Sequence, residues 1–218
     1  MALGAELGAD RTGPYTLTEK ASLPKASANG ISAVINGQLY VLPGTCSTDW
    51  VGSQYCDSPP FRRLFKYNPA TDHWVTKKLA PHYHKNGAGG AVNGKVYVVG
   101  GEDSLRAPIK ALDVYDPATE TWKTLAPVPI GGRMQGPVMQ GKLYVLFSTV
   151  ANNQITNHFY AYNPATNLWS AKAAPKWPHP AVVLARLADG PYLVGVGGSH
   201  FDVALNAAVS NETELYTP

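Results

Sequence analysis

The octad YNPATDHW at residues 67–74 returns as YDPATETW at 115–122 and again as YNPATNLW at 162–169. The steps are 48 residues (67 to 115) and 47 residues (115 to 162). Self-similarity at such a period marks one supersecondary unit copied in tandem, each copy too small to bury its apolar face alone and so stacked on its neighbour. The repeat extends beyond the octad. INGQLYVL, VNGKVYVV and MQGKLYVL begin at residues 35, 92 and 139, and each reads as a short hairpin with glycine at its turn. After each octad tryptophan the chain leaves through a proline, at Pro81, Pro127 and Pro175.

Each unit reads as four short strands. In the middle unit these are GAGGAV (87–92), where small residues permit close approach, then KVYVVGG (95–101), ALDVYD (111–116) and TWKTLAP (121–127). The second is apolar enough for burial on both faces. The octad is the hairpin between the third and fourth strands, because proline presets φ and the preceding Asn or Asp can bond the backbone beyond it. Its Tyr and Trp then face each other across the strand pair and fill the space between sheets. No window sustains apolar residues at helical spacing. Four strands in 45–50 residues is the arithmetic of a propeller blade.

On these residues the chain resembles the kelch-repeat proteins. In that family a Gly-Gly pair closes the second strand, and a Tyr and a Trp at fixed spacing flank the third hairpin. Gly100, Gly101, Tyr115 and Trp122 match the whole pattern. The unit around Tyr162 and Trp169 keeps the aromatics but has Phe147 and Ser148 in place of the glycines, and the first unit has Pro43 and Gly44. The last unit keeps Gly197 and Gly198, and its Tyr216 stands two residues from the end.

The resemblance implies an all-β, kelch-like β-propeller over residues 15–218, behind a disordered leader or appended tail at 1–14. YTLTEKASLP (15–24) reads as the end of a unit, with Tyr15 where other units have Trp, and NETELYTP supplies a third strand without a fourth. The expectation is four blades of four antiparallel strands, near 25–81, 82–127, 128–175, and 176–218 completed by 15–24. The N-terminal strand would then close the last blade and remove an exposed edge. Kelch propellers usually have six or seven blades, so part of a larger ring, or a ring completed by a second copy, stands as the alternative. Monomer and homodimer both follow from these readings.

Propellers place scaffold in strands and recognition in loops. In kelch-like rings the residues leading into the first strand surround the axial mouth, and repeat alignment puts Asn29, Asn86, Arg133 and His179 there, with His84, Lys85 and Gln135 nearby. The functional reading is a ring of polar groups converging on a protein, peptide or glycan ligand, with Arg133 offering a charge-assisted fork. The structural reading is that they cap strand ends. The interval from Asn29 to Asn86 is 57 residues against 47 from Asn86 to Arg133, so about ten residues are inserted in GTCSTDWVGSQYCDSPPF (44–61). Cys46 and Cys56 within it read as a loop-closing disulfide, which leans towards a secreted or periplasmic setting, or as free thiols. Trp50 and Tyr55 would then be rigid aromatics beside the mouth, or a small core for their own loop.

Other classes find little support. Formal net charge is only +3, from 18 basic and 15 acidic residues, and no basic stripe with interleaved aromatics suggests nucleic acid. No apolar run approaches the roughly 18 residues of a membrane helix. His73, His82, His84, His158, His179 and His200 complete no metal-ligand spacing, and no motif matches the Glu/Asp/His iron site of plant specifier proteins. No nucleophile elbow or phosphate-cradling loop is present, and no cofactor is expected. Some bacterial kelch proteins handle sialic acid, so a sugar-acting isomerase or hydrolase is the second reading, with His179, Arg133 and Glu102 as its residues. A purely structural or engineered propeller is the third.

Overall fold

Three four-stranded antiparallel sheets follow one another along the chain, each paired in chain order. The structure, a computed structural model, describes residues 18–25, 27–44, 62–152 and 154–174, and beyond them five strand segments. The first sheet is β1 (Ile31–Ile35), β2 (Gln38–Leu42), β3 (Arg63–Asn68) and β4 (His73–Leu79). The second is β5 (Ala88–Val92), β6 (Lys95–Val99), β7 (Leu112–Asp116) and β8 (Thr121–Leu125). The third is β9 (Val138–Met139), β10 (Lys142–Ala151), β11 (Gln154–Asn163) and β12 (Leu168–Ala171). A fourth sheet has three strands among the described residues, β13 (Val183–Arg186), β14 (Leu193–Val196) and β17 (Thr213–Tyr216). Between β14 and β17, β15 (Ser199–Phe201) and β16 (Ala207–Val209) form a separate hairpin that the repeat pattern did not announce.

The turns follow from residue chemistry. β1 and β2 are joined by Asn36 (φ 50°) and Gly37 (φ 72°), and β5 and β6 by Asn93 (φ 48°) and Gly94 (φ 72°). Two consecutive left-handed residues make the hairpin turn whose twist matches that of the strands, and Asn-Gly tolerates it best. Within the octads, the sixth residue also turns left-handed, at Asp72, Glu120 and Asn167. Tyr67, Tyr115 and Tyr162 then lie opposite Trp74, Trp122 and Trp169, with ring centroids 4.9, 5.2 and 5.1 Å apart.

The missing glycine pair of the third unit has a visible consequence. In the second sheet Gly100 (φ 64°) and Gly101 (φ 85°) turn the chain away just past β6. Phe147 and Ser148 cannot take that path cheaply, since a β-carbon in the left-handed region meets its own carbonyl. The strand continues instead, and β10 and β11 pair over nine residue pairs out to Ala151 and Gln154.

Sheets are joined by one recurrent device. The tyrosine in the second strand of one sheet meets the octad tyrosine of the next: Tyr40 with Tyr115 at 6.3 Å, Tyr97 with Tyr162 at 6.1 Å, Tyr144 with Tyr216 at 6.0 Å. The octad tryptophan reaches back to the preceding exit strand, where Trp122 Nε1–H donates to the Lys78 carbonyl (3.1 Å) and Trp169 Nε1–H to that of Ala126 (2.9 Å). Trp74 does the same to the Ala21 carbonyl at 2.8 Å. Residues 18–24 therefore occupy the position of an exit segment ahead of the first sheet, although they form no strand. Among the described residues the surface of the first sheet on that side is exposed. Gly89 and Ala91 of β5 are half-buried against the first sheet, whereas their equivalents Ser32 and Val34 are exposed, Val34 to 62%.

The octads differ in the bonding of their sixth residue, which gives a first prediction. Tyr162 OH donates to Asn167 Oδ1 (2.7 Å), and the same oxygen accepts the Ala126 N–H (3.0 Å). Asp72 does both for Tyr67 and Ala21. Glu120, one carbon longer, instead meets Lys77, and the buried Tyr115 hydroxyl has no partner. Burial, followed by the Glu120 charge, pushes the Tyr115 phenol up to about 12. An orphaned buried hydroxyl costs about 1–3 kcal/mol, more than an exposed ion pair returns. Glu120→Asn should therefore raise Tm by about 2–4 °C. Tyr115→Phe should be nearly neutral, whereas Tyr162→Phe should lose about 1 kcal/mol, all readable by thermal and urea unfolding.

Candidate functional site

The first strands of the sheets begin beside one another, and this creates a cavity of about 400 Å³. Asn29 and Asn86 stand at its edge in the left-handed region, with φ of 54° and 58°. Each is followed by a glycine pressed on the neighbouring strand. A β-carbon on Gly87 would lie 2.6 Å from the Val99 carbonyl oxygen, and one on Gly30 2.9 Å from that of Leu42. Asn is the residue most at ease in such a turn after glycine, so part of the reason for both asparagines is backbone geometry.

Arg133 enters from the third unit at the same repeat position, with Gln135 beside it and Met134, Leu146 and Phe147 forming an apolar wall. Backbone bonds fix this side. Met134 N–H donates to the Asn86 carbonyl (2.9 Å), Gly101 N–H to that of Gly132 (2.7 Å), and Gln135 and Leu146 exchange two bonds of 3.0 and 2.7 Å.

Glu102 organises the polar groups. Its Oε1 accepts from Arg133 Nε at 2.9 Å and its Oε2 from Asn86 Nδ2 at 3.2 Å, while its own N–H donates to the Lys85 carbonyl at 2.8 Å. The Glu102 side chain is only 12% exposed and that of Arg133 is 64% exposed. The carboxylate thus holds the guanidinium by its inner nitrogen and leaves the outer face of the fork towards solvent and the cavity.

Of the residues singled out from sequence, the structure brings Asn29, Asn86, Arg133 and Gln135 to this one cavity. Lys85 is adjacent but does not line it; its backbone is engaged with Glu102. Trp50, Tyr55, Cys46, Cys56 and His179 lie outside the described residues. His158 sits farther along the β10–β11 hairpin, bonded to Thr149 Oγ1 (2.8 Å) and 5.0 Å from the Phe147 ring, and burial holds its pKa below the ordinary imidazole value.

Sequence reasoning missed a buried polar cluster behind the cavity edge. Asp113 is fully buried on β7 and gathers four donors. Thr124 Oγ1–H reaches its Oδ1 at 2.7 Å, and its Oδ2 accepts from the His82 N–H at 3.1 Å, His82 Nδ1 at 3.0 Å and His84 Nε2 at 3.1 Å. Burial pushes the Asp113 carboxyl up, but the bonds from His84 and Thr124, the charge of His84 and the bond from His82 together hold it below the usual carboxylate value. The signal was an aspartate between Leu112 and Val114 in a strand buried on both faces. Among the described residues no group of three His, Cys, Asp or Glu is arranged to hold a metal ion. Here His82 Nδ1 and both nitrogens of His84 are turned to hydrogen bonds instead.

The lowered Asp113 pKa fixes the sign of an acid response. Its contribution is present above the unfolded-state value near 3.8 and is lost as pH falls through the lower folded-state value. Urea midpoints of the wild type should therefore drop steeply below about pH 4, and Asp113→Asn should show a shallower acid limb.

Four-stranded antiparallel units in tandem, joined through Tyr–Trp octads around inner strands that start at a polar cavity, define a kelch-type β-propeller. Residues 85–129 match the family model described as the Kelch motif, and the chain is similar to kelch-repeat proteins. It is 37% identical over 132 residues to N-acetylneuraminate epimerase of Pasteurella multocida, a match covering 56% of this chain and 33% of that protein. It is 30% identical over 161 residues to Kelch-like protein 15 of Danio rerio, covering 66% of this chain and 26% of the relative. Its fold is similar to the solved structure of YjhT, with a TM-score of 0.65 at 16% identity over 88% of this chain and 67% of that one. The matches thus span a third or less of the length of these two curated relatives.

Proposed function

We propose that the chain is a binding module that takes a protein, peptide or glycan at the cavity edged by Asn29, Asn86, Arg133 and Gln135. The observation that carries this reading is the Arg133–Glu102–Asn86 arrangement. A guanidinium clamped at Nε by a nearly buried carboxylate keeps a pre-oriented pair of outer nitrogens for a carboxylate or another acceptor, and ordering it beforehand lowers the cost of binding. Met134, Leu146 and Phe147 line the same cavity as these polar groups, which suits a ligand with both polar and apolar groups. Lys85, Trp50, Tyr55 and His179 are proposed as outer contacts of the same ligand, and Cys46–Cys56 as the closure of the loop that carries two of them.

The test is to probe peptide and glycan arrays with the wild type and with Arg133→Met. Binding should be seen on one array and fall at least about tenfold in the variant, the effect of losing one charge-assisted contact. Equal binding by both proteins would remove the cavity from the reading.

The epimerase similarity favours a second reading, a sugar-acting enzyme using the same cavity. Incubation with N-acetylneuraminate, followed by proton NMR, separates the two. Interconversion abolished by Arg133→Met or Glu102→Gln would support the enzyme, and binding without turnover the module.

For the ring we propose four blades, the last completed by residues 15–24. The engagement of Ala21 by Trp74 and Asp72 supports this, since it repeats the joint made at Ala126 by Trp169 and Asn167. A closed monomer would cover Val34, so light scattering near 23.3 kDa together with slow solvent exchange in β1 is the expected outcome. A stable dimer would replace it with a larger assembly.

A further inference from the structure

The buried cluster behind the cavity contains a histidine whose two ring nitrogens both face acceptors. His84 is 1% exposed; its Nε2 lies 3.1 Å from Asp113 Oδ2 and its Nδ1 lies 3.0 Å from the Gly100 carbonyl oxygen. A carbonyl oxygen can only accept. The Asp113 carboxylate is already receiving the Thr124 hydroxyl and the His82 backbone N–H, so it accepts as well. A neutral imidazole has one donor and one lone pair, and would leave one of these contacts facing an acceptor in a dry site. The arrangement is satisfied by the doubly protonated ring.

What the ring holds is the corner of the cavity. Gly100 and Gly101 turn the chain from β6 into Glu102, and the corner rests on the segment that follows His84. Glu102 N–H donates to the Lys85 carbonyl and Gly87 N–H to that of His84, and a β-carbon on Gly101 would meet the Lys85 carbonyl oxygen at 2.4 Å. Glu102 in turn holds Arg133 and Asn86.

We propose that His84 is a proton-dependent latch on the cavity: as an imidazolium it ties the Gly100 carbonyl to Asp113 and fixes the corner that delivers Glu102 to Arg133 and Asn86, and on losing its second proton it releases that corner. The charged and titratable groups around it are Asp113 from β7 and His82 from its own segment, with Lys85 next in the chain and Glu102 across the glycine corner. Arg62 is bonded to the Ala80 and Pro81 carbonyls just upstream. Asp113 stays ionised as the latch opens, so the sign is fixed: the latch is closed while the ring holds both protons and opens when it gives one up. The functional consequence rests on the reading of the cavity as the binding site, but the latch itself concerns cavity shape.

The test therefore uses no ligand. In nitrogen-15 spectra of the whole chain, His84 should show both ring N–H signals wherever the corner is closed. As pH is raised and one of them disappears, exchange of the Arg133 Nε proton should accelerate at least about tenfold, because its Glu102 partner is no longer held. His84→Arg, which offers several donors and cannot lose its charge, should keep the Arg133 signal protected throughout. His84→Gln should leave it unprotected at every pH. If that variant fails to fold, the wild-type titration and the arginine variant decide. The proposal is overturned if the Arg133 signal stays protected after His84 has lost a ring proton, or if it titrates equally in His84→Arg. Either result would leave the array test of the cavity untouched.

Discussion

Asp113→Ala should cost about 3–5 kcal/mol of folding stability, the usual penalty for removing one partner of a buried charge pair. The carboxylate receives four hydrogen bonds in a fully buried site, and alanine would strand the His84 donor without solvent to replace it, while the exposed His82 and Thr124 would turn to water. At about 2–4 °C per kcal/mol for a chain of this size, Tm should fall by roughly 6–20 °C. Asp113→Asn keeps an acceptor for Thr124 and should lose about half as much. Pairing Asp113→Ala with His84→Leu should recover part of the loss, because replacing both partners with apolar groups removes the stranded charge. If the double variant loses the sum of the two single losses, the two side chains do not act as a pair.

Gly101→Ala is the second large effect expected. The residue has φ of 85°, and an added β-carbon would lie 2.4 Å from the Lys85 carbonyl oxygen and 2.9 Å from the Gly87 nitrogen. Both are backbone atoms held by hydrogen bonds, so neither can turn aside as a flexible side chain would. Left-handed strain of about 1–2 kcal/mol adds to an overpacking cost of about 1–3 kcal/mol, which places the loss near 3 kcal/mol in urea unfolding. The variant should also separate Glu102 from Arg133, visible as loss of protection at the Arg133 Nε proton. Gly94→Ala is the control. It has positive φ but open space around the added carbon, so it should show the backbone strain alone.

These two positions illustrate what could be read in advance. The octads and the Asn-Gly turns were legible because their chemistry is local: an Asn or Asp followed by proline and a Tyr–Trp pair lie within eight residues. Gly100 and Gly101 were legible for the same reason, and so was the departure at Phe147 and Ser148, although its outcome, a hairpin extended to Ala151 and Gln154, was not. Repeat alignment placed Asn29, Asn86 and Arg133 at equivalent positions with Gln135 nearby, because tandem units put equivalent residues beside one another; His179, aligned with them, lies outside the described residues.

The interactions that give the site its character cross between units or long loops. His84 and Asp113 are 29 residues apart, and Arg133 and Glu102 are 31 apart. Nothing in periodicity marks such pairs. From the sequence Glu102 stood only among the residues of the sugar-acting reading and His84 only near the mouth, because their partners lie far along the chain. The β15–β16 hairpin and the open side of the first sheet, marked by Val34, likewise depend on how units meet rather than on what any unit contains.

The cavity edged by Asn29, Asn86, Arg133 and Gln135 is the proposed seat of the ligand. Chemical-shift mapping with the strongest peptide or glycan from the arrays tests it most directly. The largest shifts should fall on the Arg133 Nε–H and on the side-chain amides of Asn29, Asn86 and Gln135, and they should vanish in Arg133→Met. Shifts confined instead to the outer strands around Val75 and Leu168, with those four groups unmoved, would contradict it.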